Sequence, residues 1–250
     1  LDIYNIDACI WVGATGQEGA VAIGEVLNGS VSPSGSTVDT WSYKPAEAPA
    51  AINLGDYTIT NSEVVSGNKY IVYEEGIYVG YRYYETRYED VVLGNESAAN
   101  FNYDEQVQFP FGFGLSYTTF DMVTTSAEKK DDIITLKIKV TNTGEVSGKQ
   151  VVQIYASAPK GAIDKPAFEL KAFSKTKELA PKESQELVIE LDIKNLVSYD
   201  ELNSSYILEK GEYSIFVGIN SVEMENVLTF KLDETRVISK LKNRCVPKKL

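Results

Sequence analysis

The groups in this chain that could move a proton or attack a bond are carboxylates, tyrosines, lysines and two cysteines, because the sequence contains no histidine. That absence removes Ser-His-Asp and Cys-His catalysis and the usual transition-metal sites. Cys9 and Cys245 stand near opposite ends and build neither a disulfide framework nor a zinc spacing. Cys9 lies in an apolar run and reads as a core residue. No metal and no cofactor is expected. The glycine-rich turn Gly13-Ala14-Thr15-Gly16-Gln17-Glu18-Gly19 spaces its glycines three apart and is followed by no Gly-Lys-Ser/Thr, so it fits neither phosphate-binding fingerprint. Glu18 would also put negative charge where a phosphate should sit. As an acid or base Glu18 is a candidate. Its structural alternative is a helix-start residue near the positive end of the helix dipole. The other conspicuous stretch is Ile77-Tyr78-Val79-Gly80-Tyr81-Arg82-Tyr83-Tyr84-Glu85. Five tyrosines fall between Tyr78 and Tyr88, out of 16 in the chain. Read as a strand, one face carries Tyr78, Arg82 and Tyr84, and the other Val79, Tyr81 and Tyr83. Amphipathic rings at this density mark an interface or a sugar-stacking surface, or else ordinary sheet packing. Rings on both faces need cover on both faces. The expected cover is a body outside this chain, which would leave several of these rings exposed here.

The elements that must position these residues change character along the chain. Ala8 to Gly13 is a short apolar run ending in glycine and reads as a buried strand of a parallel sheet. Ala20 to Leu27 follows as a helix, with Asn28-Gly29 as its stop. One strand-turn-helix piece cannot bury both faces of a sheet, so this α/β portion is incomplete. Residues 53–68 are polar and irregular. The stretch Phe109-Pro110-Phe111-Gly112-Phe113-Gly114-Leu115-Ser116-Tyr117-Thr118-Thr119-Phe120 alternates large rings with residues that bend the backbone. It reads as an apolar peg between two bodies, with Phe109, Phe111, Phe113 and Tyr117 as contact residues; the alternative is a buried turn within one domain.

After Phe120 the period becomes two. Ile134, Leu136, Ile138 and Val140 alternate with Thr135, Lys137 and Lys139. Val152, Ile154 and Ala156 alternate with Val151, Gln153 and Tyr155. Further strands are predicted over 168–173, 185–193, 213–219 and 227–232. About seven short strands over about 110 residues indicate an aligned sandwich of immunoglobulin or fibronectin III type. In the tail, Val237, Leu241, Ile238 and Cys245 share a helical face, which predicts a helix.

Three of these motifs, in this order, resemble the family 3 glycoside hydrolases. Gly16-Gln17-Glu18-Gly19-Ala20, Val26-Leu27-Asn28-Gly29 and Val31-Ser32-Pro33-Ser34-Gly35 match that family's Gly-x-Glu-Gly-Gly/Ala, helix, Val-Leu-x-Gly-x-x-x-Pro-Ser-Gly pattern. Ile77 to Tyr84 is similar to its next segment, and Phe109 to Phe120 to its Phe-Pro-Phe-Gly-x-Gly-Leu-Ser-Tyr-Thr-x-Phe signature. The departures are Ala20 for a second glycine, Thr37-Val38-Asp39-Thr40 for the usual Leu-Pro-x-Thr, and an apparent insertion over 53–68. The resemblance implies the end of an α/β sandwich domain and a fibronectin III-like domain of a β-glucosidase-like enzyme. It also implies a (β/α)8 barrel as partner, and carbohydrate as substrate of the complete enzyme. Retaining glycosidases use two carboxylates about 5 Å apart. In this family the nucleophile is an aspartate in the barrel, in a Ser-Asp-Trp context that this chain lacks, and the acid/base glutamate lies on a loop upstream of the Gly-Gln-Glu-Gly motif. The chain alone is therefore expected to carry no catalytic residue. In family members with permuted domain order, a tail like this one leads into the barrel.

The expected fold class is α+β: a partial α/β sandwich segment, then an all-β immunoglobulin-like sandwich. The division is 1–52 for the end of the α/β domain, 53–120 for the aromatic connecting segment, 121–233 for the β-sandwich and 234–250 for a helical linker. Tyr78, Tyr81, Arg82, Tyr83, Tyr84, Phe109, Phe111, Phe113 and Tyr117 are the expected interdomain contacts. Hydrophobic residues make up 43% and charged residues 24% of the 250, as expected for a packed core, and the net charge of −12 disfavours nucleic acid or an anionic membrane as partner. The sequence has no apolar run long enough to span a bilayer. The lack of a signal-peptide pattern and of disulfides leans towards the cytoplasm. The rival class is a carbohydrate- or protein-binding sandwich module without enzymatic role.

Overall fold

The structure, a computed structural model, describes residues 6–98, 100–242 and 244. The N-terminal part contains few elements: α1 (Gly19–Leu27), the short strand β1 (Trp41–Ser42), α2 (Pro49–Ile52), and the strand pair β2 (Tyr57–Thr58) and β3 (Lys69–Tyr70). Then come α3 (Tyr81–Val92), α4 (Tyr103–Gln106) and β4 (Val107–Phe109), which pairs antiparallel with β1. The helix α1 occurs where its apolar spacing placed it, yet it buries no residue. Residues 8–13 form no strand and are exposed, Cys9 included. A lone apolar segment has no neighbour to take its backbone hydrogen bonds, so the expected buried strand and core cysteine do not form among the described residues.

Alternation builds the second part. The strands are β5 (Phe120–Lys130), β6 (Ile133–Asn142), β7 (Val151–Ser157), β8 (Glu169–Lys175), β9 (Ser184–Asp192), β10 (Ser198–Asp200), β11 (Ser205–Leu208), β12 (Gly211–Gly218), β13 (Met224–Leu232) and β14 (Arg236–Lys240). One sheet has the order β5-β6-β9, the second β13-β12-β7-β8, and a small third sheet β10-β11-β14. All pairings are antiparallel. Ile134, Leu136, Ile138 and Val140 of β6 meet Val152, Ile154 and Ala156 of β7 and Tyr213, Ile215 and Val217 of β12 in one core. The fold class is α+β with a β-sandwich, as the alternation indicated. The tail differs from its helical reading. Residues 236–240 are extended and pair with β11, with Val237 opposite Ile207. Ile238 packs against the core while Val237 stays exposed, so the apolar pair follows a period of two. Cys245, placed on the expected helical face, lies outside the described residues.

Candidate functional site

The tyrosine stretch is a helix, not a strand. Gly80 enters α3 at φ +58, a left-handed conformation that suits glycine. From there the spacing of Tyr81, Tyr84, Glu85 and Tyr88 puts them on one helical face. Tyrosine's strand preference yields to this tertiary docking. The cover also differs from expectation, because it comes from the sandwich in the same chain. Tyr84 is buried, Tyr81 and Tyr83 are half-buried, and only Tyr88 of the α3 tyrosines is exposed.

The docking contacts run along the helix. The Tyr81 ring lies 4.4 Å from Phe111 and 6.3 Å from Tyr155 of β7, and its hydroxyl accepts from the Leu170 amide of β8 at 2.9 Å. Arg82 forms an ion pair with Glu169 of β8 at 2.9 Å. The Thr86 hydroxyl accepts from the Ala167 amide at 2.8 Å, and Tyr78 donates to Asp164 at 2.6 Å. Tyr83 packs edge-on against Tyr84 at 5.1 Å. Lys160 pairs with Glu89. The loop 158–168 that makes several of these contacts is itself held by a buried ion pair, Lys165 with Glu209. Against the penalty of burial, the Lys165 ammonium and the Ala162 and Ile163 amides hold the Glu209 carboxyl below its ordinary range. A cleft of about 790 Å³ lies between α3 and this loop, walled by Tyr78, Tyr83, Arg87, Asp90, Lys160 and Asp164. These polar groups are engaged within the chain, through Tyr78–Asp164, Arg87–Asp90 and Lys160–Glu89.

The Phe109–Phe120 segment is stitched on both sides. Towards the sandwich, the Gln153 side chain of β7 donates to the Gly112 carbonyl at 3.1 Å, and the Ser221 amide donates to the Phe111 carbonyl at 2.9 Å. Thr118 donates to Asn142 of β6 at 2.7 Å. Towards the N-terminal part, the Thr37 amide donates to Phe113 at 2.8 Å and the Gly112 amide to Thr37 at 2.9 Å. The Tyr117 hydroxyl donates to the Val26 carbonyl at 3.0 Å, and its amide to the Ser32 hydroxyl at 3.1 Å. Phe109 stacks on Phe113 at 5.0 Å and meets Trp41 edge-on at 6.4 Å. The two glycines divide the work. A Cβ on Gly112 (φ +83) would sit 2.3 Å from Gln153, and one on Gly114 would sit 2.1 Å from the Gly35 carbonyl oxygen.

Three buried residues of this seam do not stand out in the sequence. Glu85 is buried and accepts from Tyr103 and Ser221. Gln153 and Tyr155 lie on the face of β7 opposite the core, and both are buried. The signal was present in β7, where both alternating sets are large, so both faces call for cover. Glu18 stands exposed at the N-cap of α1 and makes no side-chain capping bond. Among the described residues, no group of three or more acidic or cysteine side chains is arranged to hold a metal ion. No described helix is long and apolar enough to cross a membrane.

Residues 2–81 match the model of the glycosyl hydrolase family 3 C-terminal domain, and residues 150–221 match that of the fibronectin type III-like domain. Beta-glucosidase A of Butyrivibrio fibrisolvens is 38% identical over 96% of this chain. The chain belongs to glycoside hydrolase family 3. It corresponds to a C-terminal portion of that family's proteins, the two matched domains flanking the aromatic seam. A beta-glucosidase of Ruminococcus albus is 34% identical over 99% of the chain. The solved structure of a Paenibacillus barengoltzii beta-glucosidase superimposes with a TM-score of 0.76 and 34% identity, covering 90% of this family 3 chain and 23% of that structure. The chain spans about a quarter of the length of these relatives, 28% and 24% of the two curated ones.

Proposed function

We propose that this family 3 chain is a non-catalytic portion of a β-glucosidase-like hydrolase, which packs against a (β/α)8 barrel and supports the rim of the active site. The observation that carries this reading is the alignment. Nearly all of the chain aligns with beta-glucosidases, yet it accounts for only about a quarter of their length. The motifs at residues 16–35 and 109–120 resemble family segments downstream of the acid/base glutamate, and the family's nucleophile belongs to the barrel. A retaining mechanism needs both groups. The role left for these residues is mechanical. The aromatic segment ties the α/β piece to the sandwich through paired backbone bonds, so the sandwich acts as a fixed buttress for the domain that would line the substrate site.

Assay of the chain alone and of the longer protein on an aryl β-glucoside tests this. The chain alone should give no turnover above buffer, because loss of either carboxylate alone slows such reactions by several orders of magnitude. Turnover by the chain alone that disappears in Glu18→Gln would overturn the reading. In the longer protein, Glu18→Gln should leave kcat within about threefold, as its exposed place at a helix start has only a weak dipole interaction to lose.

A further inference from the structure

Glu85 is 2% exposed and sits where three elements meet. Its Oε1 accepts from the Tyr103 hydroxyl of α4 at 2.7 Å and from the Ser221 hydroxyl in the β12–β13 turn at 2.8 Å. Both donors are neutral, and their convergence on Oε1 leaves Oε2 to take a proton. The nearby ionic groups have other partners. Arg82 pairs with Glu169 on β8, Arg87 with Asp90 along α3, and Glu223 in the Ser221 turn accepts from Asn220. From β7, Tyr155 bears on Glu85, and its hydroxyl donates to Gln153. A carboxyl in such a place is tolerated when neutral and opposed when charged. Burial lifts it, against the hydrogen bonds from Tyr103 and Ser221, to about 7.

We propose that Glu85 is a proton-operated pin: α3 and the aromatic segment are held tightly to the sandwich while this carboxyl is neutral, and the seam loosens as it ionises. The sign follows from proton linkage. The docked carboxyl binds its proton more tightly than an undocked one of ordinary value 4.5, so docking is at full strength below about 4.5. It weakens as pH rises through about 7 and is level above that. The ratio of docked to open seam should fall by roughly three hundredfold across this window. Burial pushes the Tyr103 and Tyr155 phenols far above their ordinary range, and Glu209 is held low.

Amide hydrogen exchange of residues 81–92 in the full chain, from about pH 5.5 to about pH 8.5, tests the pin once each rate is divided by that of unstructured peptide at the same pH. Wild type should lose protection steadily as pH rises from about 5.5 and level off near 7. Glu85→Gln keeps an oxygen for both hydroxyls and cannot ionise. Its profile should be flat, with protection at about pH 8 above that of wild type. Ser221→Ala removes a donor that favours the charged form, so its levelling-off should move to higher pH. A wild-type profile without this loss, or a loss that survives in Glu85→Gln, would overturn the proposal. If Glu85→Gln does not fold, Ser221→Ala decides, and a pH of levelling-off that does not move overturns it.

Discussion

The strand β6 and the helix α1 both carry an apolar face, and the two faces meet opposite fates. Ile134, Leu136, Ile138 and Val140 of β6 are fully buried, whereas on α1 Ile23 and Val26 are only half-buried and Leu27 is 66% exposed. Trp11, in the run before that helix, is 72% exposed. The difference is one of partners, not of pattern. β6 lies between β5 and β9 and faces β7 and β12, so its alternation closes against residues within the same hundred or so positions. The α1 face is equally regular, but the described residues cover it only in part and bury none of it. Periodicity specifies which side of an element wants burial; it does not supply the body that buries it.

The largest expected effect lies on the closed side of this comparison. Lys165→Met removes the cation from a buried pair and leaves Glu209 charged beneath the 158–168 loop. That should destabilise the sandwich by about 3–5 kcal/mol. Urea denaturation followed by tyrosine fluorescence measures it, and a loss under about 1 kcal/mol would mean that water reaches Glu209 readily. Leu136→Ala, at the centre of the core, should follow at about 2–5 kcal/mol by the same assay.

The seam comes next, and its glycines separate the two bodies. In Gly112→Ala the new methyl group meets Gln153 of β7, and the residue must hold φ +83. A cost of about 1–3 kcal/mol is expected in the unfolding of the sandwich. In Gly114→Ala the methyl group meets the Gly35 carbonyl oxygen, a backbone atom on the N-terminal side. That change should raise the susceptibility of residues 20–40 to limited proteolysis and leave the urea midpoint of the sandwich within about 0.5 kcal/mol of wild type. Equal effects of the two substitutions on the sandwich would mean that the seam is one cooperative unit.

These regions also differ in how much of them was legible in the sequence. The strands β6, β7, β9, β12 and β13 follow from alternation, because both faces of the period meet consistent surroundings. The long β5 was missed: its exposed and half-buried residues mix Thr, Ser, Lys and Glu, so its apolar signal is thin. The tyrosine helix differs from its strand reading because the interface the rings form is with this chain's own sandwich, and that docking outweighs their local strand preference. Tyr81 meets Phe111 and Tyr155 on the outer face of the sandwich, a cover that alternation in β7 alone does not reveal. Gln153 and Tyr155 alternate with the core set of β7, and alternation alone does not say that their face is covered too. Glu85 looked like one more acid beside a tyrosine run; only the meeting of α3, α4 and the β12–β13 turn makes it a buried carboxyl.

The smallest expected effect tests the open side. Leu27→Ala in α1 truncates a side chain of the apolar face that is 66% exposed, and alanine is at least as good a helix former. The stability of this chain should therefore change by less than about 0.5 kcal/mol, against several for Leu136→Ala. In a longer protein that supplies the rest of an α/β domain, the same side chain would be buried. The same substitution should then cost about 2–5 kcal/mol, from lost transfer free energy and the cavity left behind. The contrast between the two backgrounds is the measurement. A large cost already present in this chain would mean that α1 packs against the sandwich in solution, and the open face would have found its cover within these residues. A negligible cost in both backgrounds would mean that this face of α1 is not the one the domain closes on, and the exposed run from Ile10 to Val12 becomes the surface to probe next.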